Sequence, residues 1–131
     1  MEITSLRFID NYRFVACTNK GFAVFDSKTA ELKNDCKIPG GVAICKPYKN
    51  SNYFYFVGTG CNEDFPSTKL CIWNAEKNSI FDSVPFSDQI IDILVEGDWI
   101  VIVFENSFKL YNYSMGFEDV VAVVMTQTNT Q

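Results

Sequence analysis

The chain has 131 residues, 47% of them hydrophobic and 21% charged, which is enough apolar material for one cored globular domain and too much for a disordered segment. Histidine is absent, and with it the usual general base and the commonest metal ligand. Against 11 basic residues stand 16 acidic ones, and the net charge of −5 opposes nucleic acid and anionic membrane surfaces.

In chain order, short apolar runs alternate with turn residues, and aromatics reach 15%, so the pattern predicts an all-β fold. Strands are expected over 3–9, 12–17, 22–26 and 30–38, with a hairpin at Thr18-Asn19-Lys20-Gly21 and the last strand polar, as on an outer edge. Gly40-Gly41 breaks the chain. Strands follow over 42–45, 53–57, 69–74 and 79–84, with a turn at 47–52 and a long polar loop over 58–68. A third set is expected over 89–95, 99–104, 108–113 and 120–125, and no segment reads as a helix. Residues 1–10 lack a basic stretch followed by an apolar run, so no signal peptide is expected. The longest apolar runs, 100–104 and 120–125, fall far short of the ~20 residues of a membrane-spanning helix, which predicts a soluble chain.

The five cysteines, Cys17, Cys36, Cys45, Cys61 and Cys71, form no CxxC pair. Without histidine, zinc would need four dispersed thiolates, so no metal site is expected. Cys17, Cys45 and Cys71 lie in apolar runs and read as buried free thiols, which fits a reducing cytosol.

The third strand of each set repeats: Gly-Phe-Ala-Val-Phe-Asp (21–26), Lys-Leu-Cys-Ile-Trp-Asn (69–74) and Ser-Phe-Lys-Leu-Tyr-Asn (107–112). Apolar residues hold the second and fourth positions, an aromatic the fifth, and Asp or Asn the sixth. With the long loop discounted the period is roughly 40, that of a four-stranded propeller blade, and Trp73-Asn74 stands where WD-type repeats carry Trp-Asp. A sandwich or open barrel of three meanders fits the same periodicity.

Three stretches carry a family resemblance. They are Asn52-Tyr-Phe-Tyr-Phe-Val-Gly-Thr-Gly60 running on to Phe65-Pro66-Ser-Thr-Lys69-Leu-Cys-Ile-Trp73-Asn74, then Ile100-Val-Ile-Val-Phe-Glu105-Asn106, then Leu110-Tyr-Asn-Tyr113. Together with Asn19-Lys-Gly-Phe22, they resemble the first three blades of the PROPPIN family, the seven-bladed WD40-like propellers of autophagy. The resemblance covers about residues 3–113 and implies blades over about 1–38, 39–88 and 89–126, with a frayed tail over 127–131. It implies a scaffold that recruits autophagy proteins to membranes bearing phosphatidylinositol 3-phosphate or 3,5-bisphosphate. The family's lipid motif, an Arg-Arg-Gly in a later blade, has no counterpart, because Arg7 and Arg13 are the only arginines and are not adjacent. The lipid contact is therefore expected to lie in blades absent here, and this chain to supply protein-docking blades.

By the same resemblance, Phe65, Pro66 and Lys69 are the candidate partner-binding residues. An exposed Phe-Pro on the loop would act as a docking knob for an autophagy lipid-transfer protein or another autophagy factor. The implied location is the cytoplasm, peripheral to the phagophore assembly site, endosomes or vacuole. Three blades do not close a ring, so the end blades are expected to show apolar faces that invite self-association or a missing propeller half.

Other constellations carry less. Glu63, Asp64 and Asp82 have no base or metal partner, and Gly58-Thr59-Gly60 lacks the third glycine and helix of a dinucleotide site. Without histidine no nucleophilic triad exists, so no enzyme and no cofactor are expected. Lys46, Lys49 and Lys69 flank the loop and read either as a phosphate patch or as solvated lysines. The alternative function is a generic WD-repeat interaction module, or a degenerate fragment, without lipid binding.

Overall fold

A computed structural model describes residues 2–48, 52–112 and 120–125. It contains twelve strands: β1 (Ile3–Phe8), β2 (Arg13–Thr18), β3 (Gly21–Asp26), β4 (Leu32–Lys37), β5 (Val42–Pro47), β6 (Tyr53–Gly58), β7 (Lys69–Asn74), β8 (Ser79–Pro85), β9 (Asp92–Glu96), β10 (Trp99–Val103), β11 (Ser107–Asn112) and β12 (Val120–Met125). They form three separate four-stranded antiparallel sheets, β1 to β4, β5 to β8 and β9 to β12, each in simple up-and-down order. The first strands of successive sheets lie against one another: Thr4 Oγ1 donates to the Val42 carbonyl and Ser5 Oγ to the Ala43 carbonyl at 3.1 Å, and β5 contacts β9.

Strand alternation builds the interior. In β6, Phe54 and Phe56 turn toward blade 1, while Tyr55 and Val57 turn toward blade 3. One cluster joins Val15, Phe22 and Val24 of blade 1 to Val42, Phe54, Phe56 and Trp73 of blade 2. A second joins Tyr55, Leu70 and Ile72 of blade 2 to Ile93, Ile100, Ile102 and Tyr111 of blade 3. The middle sheet is thus buried on both faces, which explains why 53–57 reads as a continuous aromatic run rather than an alternating one. Each fully buried aromatic or branched side chain contributes about 1.5–3 kcal/mol.

The repeat has a structural cause at its sixth position. The Asp26 carboxylate accepts from the Lys28 and Thr29 amides at 2.8 and 3.0 Å, and Asn74 Oδ1 accepts from those of Glu76 and Lys77 at 3.0 and 3.2 Å. Both side chains close the hairpin into the outer strand, and each turn ends on a left-handed residue, Ala30 at φ 59° and Asn78 at φ 53°. The outer pairing also shifts register at one repeat position in all three sheets: Val24/Phe25, Ile72/Trp73 and Leu110/Tyr111.

Several expected boundaries move. Ala30 belongs to that turn, so the outer strand of blade 1 starts at Leu32. Pro47 extends β5 instead of opening a turn, because among the described residues β5 is an edge strand laddered to β6 alone and Pro has no amide to lose there. Residues 89–91 form a connector, held by Ile90 N–H to the Ser67 carbonyl at 2.9 Å and Ile91 N–H to the Val103 carbonyl at 2.8 Å. Tyr113, Lys49 and the tail from 126 onward lie outside the described residues. No helix among the described residues is long and apolar enough to cross a membrane.

Candidate docking surface

The loop between β6 and β7 is tied down along its length. At its start, Thr59 Oγ1 donates to the Gly40 carbonyl at 2.6 Å and Thr59 N–H to that of Gly41 at 3.3 Å, so the loop grips the connector between blades 1 and 2. At its end, the Ser67 and Thr68 carbonyls accept from Ile90 and Phe86 N–H, each at 2.9 Å, which grips the connector between blades 2 and 3. Between these anchors, Asp64 N–H donates to Asn62 Oδ1 at 2.9 Å and Phe65 N–H to the Asn62 carbonyl at 3.0 Å. One ten-residue loop (59–68) therefore staples both blade junctions.

Phe65 is not the exposed knob the sequence suggests. Its ring turns inward against the blade 1–blade 2 cluster, 5.9 Å from the Phe56 ring, and the residue is half-buried. Gly58 makes this possible, since a Cβ there would lie 2.3 Å from the Phe65 carbonyl oxygen. Pro66 and Lys69 are half-buried too. The Lys69 ammonium donates to the Asp64 carbonyl at 3.2 Å, an exposed contact that closes the loop across its own base.

Lys46 and Lys69, the described members of the expected patch, do not gather into one. Lys69 stands at the loop end of the middle sheet, paired with Pro85, whereas Lys46 pairs with Tyr55 on the inner strand, toward the opposite end. Lys46 lies near Arg7 and Asp92, and partial burial together with the Arg7 charge lowers its pKa. Both arginines are occupied, Arg7 with Asp92 at 3.6 Å and Arg13 with Asp10 at 3.2 Å. Asp82 sits on the outer strand β8 opposite Ile72, apart from the exposed Glu63 and Asp64 on the loop. Four cysteines, Cys17, Cys36, Cys45 and Cys71, share the blade 1–blade 2 cluster as free thiols, and Cys61 is exposed. Among the described residues no group of three or more Cys, Asp or Glu is placed to hold a metal.

No family model matches the chain. SVP1-like protein 2 of Pichia angusta is 30% identical over 106 residues, which is 79% of this chain and 29% of that protein. The solved structure of Kluyveromyces lactis Hsv2, a PROPPIN, superposes with a TM-score of 0.78 over 95% of this chain and 37% of that one, at 16% identity. The chain belongs to the PROPPIN family.

The three sheets are propeller blades, not a sandwich or barrel. The chain spans less than a third of the curated PROPPIN relative and little more than a third of the solved one. A solved complex of KlAtg21 with the coiled coil of AgAtg16 also superposes on these PROPPIN blades, with a TM-score of 0.76 over 95% of this chain and 40% of that one, at 15% identity. The sequence pointed to loop 59–68 through its Phe-Pro and its polarity. It did not reveal the staple, which is made mostly by backbone groups and the Thr59 hydroxyl.

Proposed function

We propose that this chain is the protein-docking part of a PROPPIN-type autophagy scaffold, and that it engages its partner on the face formed by the β6–β7 loop and the blade 2–blade 3 junction. The observation that carries this reading is the double tether of the loop, from Thr59 to Gly40 and Gly41 and from Ser67 and Thr68 to Ile90 and Phe86. A surface held at both ends meets a partner without a large ordering cost. In this reading Phe65 is the inward anchor, and Pro66 and Lys69 are the contacting residues.

Family membership and the KlAtg21 complex support an autophagy protein as partner: a lipid-transfer factor or a coiled coil. The family's phosphoinositide role enters here as recruitment to phagophore, endosomal or vacuolar membranes. These residues are not its lipid contact, because Arg7 and Arg13 are not adjacent and each already faces a carboxylate.

Two experiments test this. Flotation with liposomes containing phosphatidylinositol 3-phosphate should capture the chain no better than plain phosphatidylinositol; selective capture would refute the assignment of lipid binding elsewhere. A pull-down with an autophagy coiled coil should retain the chain, and Pro66→Ala with Lys69→Ala should weaken retention severalfold. Equal retention of wild type and variant would remove this face as the docking surface.

A further inference from the structure

The seam between blades 1 and 2 is rich in sulfur. Cys17 on β2, Cys36 on β4, Cys45 on β5 and Cys71 on β7 enter one cluster, each at 2% exposure or less. Two of them meet across the blades, because the Cys45 thiol is hydrogen-bonded to the Cys17 sulfur. Strand β1 sets this meeting. Ser5 lies opposite Cys17 in the β1–β2 ladder, and its hydroxyl donates to the Ala43 carbonyl at 3.1 Å, two residues before Cys45. Thr4 Oγ1 donates to the Val42 carbonyl. These bonds hold β5 against β1 and β2 at the level of the two sulfurs.

The surroundings divide the pair into two roles. The hydrogen bond from Cys45 lowers the Cys17 pKa against the effect of burial, and Ser5 and the Arg7 charge act in the same direction. Burial keeps Cys45 protonated. Cys17 is thus the readier nucleophile, and Cys45 the thiol placed to resolve what forms on it.

We infer that Cys17 and Cys45 are a redox pair, which hydrogen peroxide converts into a disulfide joining blade 1 to blade 2. The Cys17 thiolate attacks one peroxide oxygen and expels hydroxide, leaving a sulfenic acid on Cys17. The hydroxide and the proton released by Cys17 make the first water. Cys45 then attacks the Cys17 sulfur, and its proton leaves with the sulfenic oxygen as the second water. Two thiols and one peroxide become one disulfide and two waters, and the two electrons lost by sulfur are gained by oxygen. The S–S bond forms where the S–H···S hydrogen bond now lies. Peroxide, little larger than water, reaches buried thiols through local openings too small for a bulky reagent. The disulfide closes residues 17–45 into a loop that contains Gly40 and Gly41, the anchor of the β6–β7 loop. A dithiol reductant reverses it.

The test uses the full chain carrying Cys61→Ser, which removes the exposed thiol and leaves four. The folded chain is treated with hydrogen peroxide, catalase removes the excess, and the remaining thiols are alkylated in urea before peptide mapping without reduction. The map should show Cys17 joined to Cys45, with Cys36 and Cys71 alkylated, and dithiothreitol should restore four alkylated thiols. Added Cys45→Ser should stop the reaction at a sulfenic acid on Cys17 that dimedone traps, whereas added Cys17→Ser should give neither disulfide nor dimedone adduct. If either serine variant fails to fold, the map of the parent chain decides. Four alkylated thiols in the folded chain, at a peroxide dose that oxidises the same chain in urea, overturn the inference. So does a disulfide that prefers Cys36 or Cys71, and so does a folded chain whose pairings match the mixture formed in urea.

Discussion

Arg7 on β1 reaches Asp92 on β9, 3.6 Å between Nη1 and Oδ1, so an ion pair links blades 1 and 3 past the inner strand of blade 2. Both side chains are substantially exposed, at 44% and 30%, and Arg7→Gln should cost less than about 1 kcal/mol. Its clearer effect is on Lys46. Burial is the main cause of that lysine's lowered pKa and the Arg7 charge the second, so Arg7→Gln should move the Lys46 titration upward without restoring it fully. In the wild type, the folded chain releases this proton before the unfolded chain does. The lysine's contribution therefore favours the folded state increasingly as pH rises from the folded pKa toward 10.5. Titration of isotopically labelled lysine side chains by NMR checks the shift. An unmoved Lys46 in Arg7→Gln would mean that the guanidinium does not act on it.

Asp26 and Asn74 do the same work with different charge. The Asp26 pKa is lowered by the backbone N–H groups of Thr29 and Lys28 that its carboxylate accepts. A lowered carboxylate pKa stabilises the fold above the unfolded value of 3.8 and stops doing so as pH falls through the folded value. Asp26→Asn should keep the turn, as Asn74 does, and remove this acid-side dependence. Asp26→Ala should lower Tm, because the amides lose their acceptor while Ala30 still needs its left-handed backbone. Thermal melts between pH 3 and 7 distinguish the three proteins.

Gly58 and Phe65 are coupled by space rather than by backbone freedom. An added Cβ at Gly58 would lie 2.3 Å from the Phe65 carbonyl oxygen and 2.7 Å from its Cβ, so Gly58→Ala should push the loop off its blade at a cost of about 1–3 kcal/mol. Phe65→Ala empties part of the blade 1–blade 2 cluster and, for a half-buried ring, should cost about 2 kcal/mol. Pro66→Ala with Lys69→Ala should leave stability within about 0.5 kcal/mol. Urea melts give all three values. Comparable destabilisation by the Pro66/Lys69 pair would mean that it serves the fold and not a partner.

The architecture was legible where side-chain pattern encodes it. The apolar second and fourth positions of 21–26, 69–74 and 107–112 marked the blades, and the aromatic run 53–57 marked a strand, whose burial on both faces only the structure shows. Three features left weaker traces. Cys36 sits on a polar, largely exposed strand yet is buried, because its register opposite Phe22 turns that one residue inward. Loop 59–68 is held mainly by backbone groups reaching residues 40–41 and 86–90, and hydrophobic periodicity does not record backbone partners. The inward turn of Phe65 depends on the missing Cβ of Gly58, in a sequence context that reads as an ordinary glycine turn.

Burial raises three of the thiols, whereas the equally buried Cys17 thiol is lowered by its hydrogen bond with Cys45. Burial pushes Cys36 and Cys71 up to about 11 and Cys45 well above the ordinary thiol value, while Cys61 is exposed on the loop. A raised folded pKa means that the folded chain holds its thiol protons after the unfolded chain has released them. The stability from Cys36 and Cys71 is therefore complete below pH 9 and is lost as pH rises from 9 toward 11. At pH 8, a disulfide reagent such as dithionitrobenzoate should modify one thiol per native chain quickly, and Cys61→Ser should abolish that phase. The other four should react only after unfolding. A second fast thiol in the native chain would mean that the blade 1–blade 2 cluster opens on the time scale of the reaction, so that this interface, and not the loop, is the weak point of the arc.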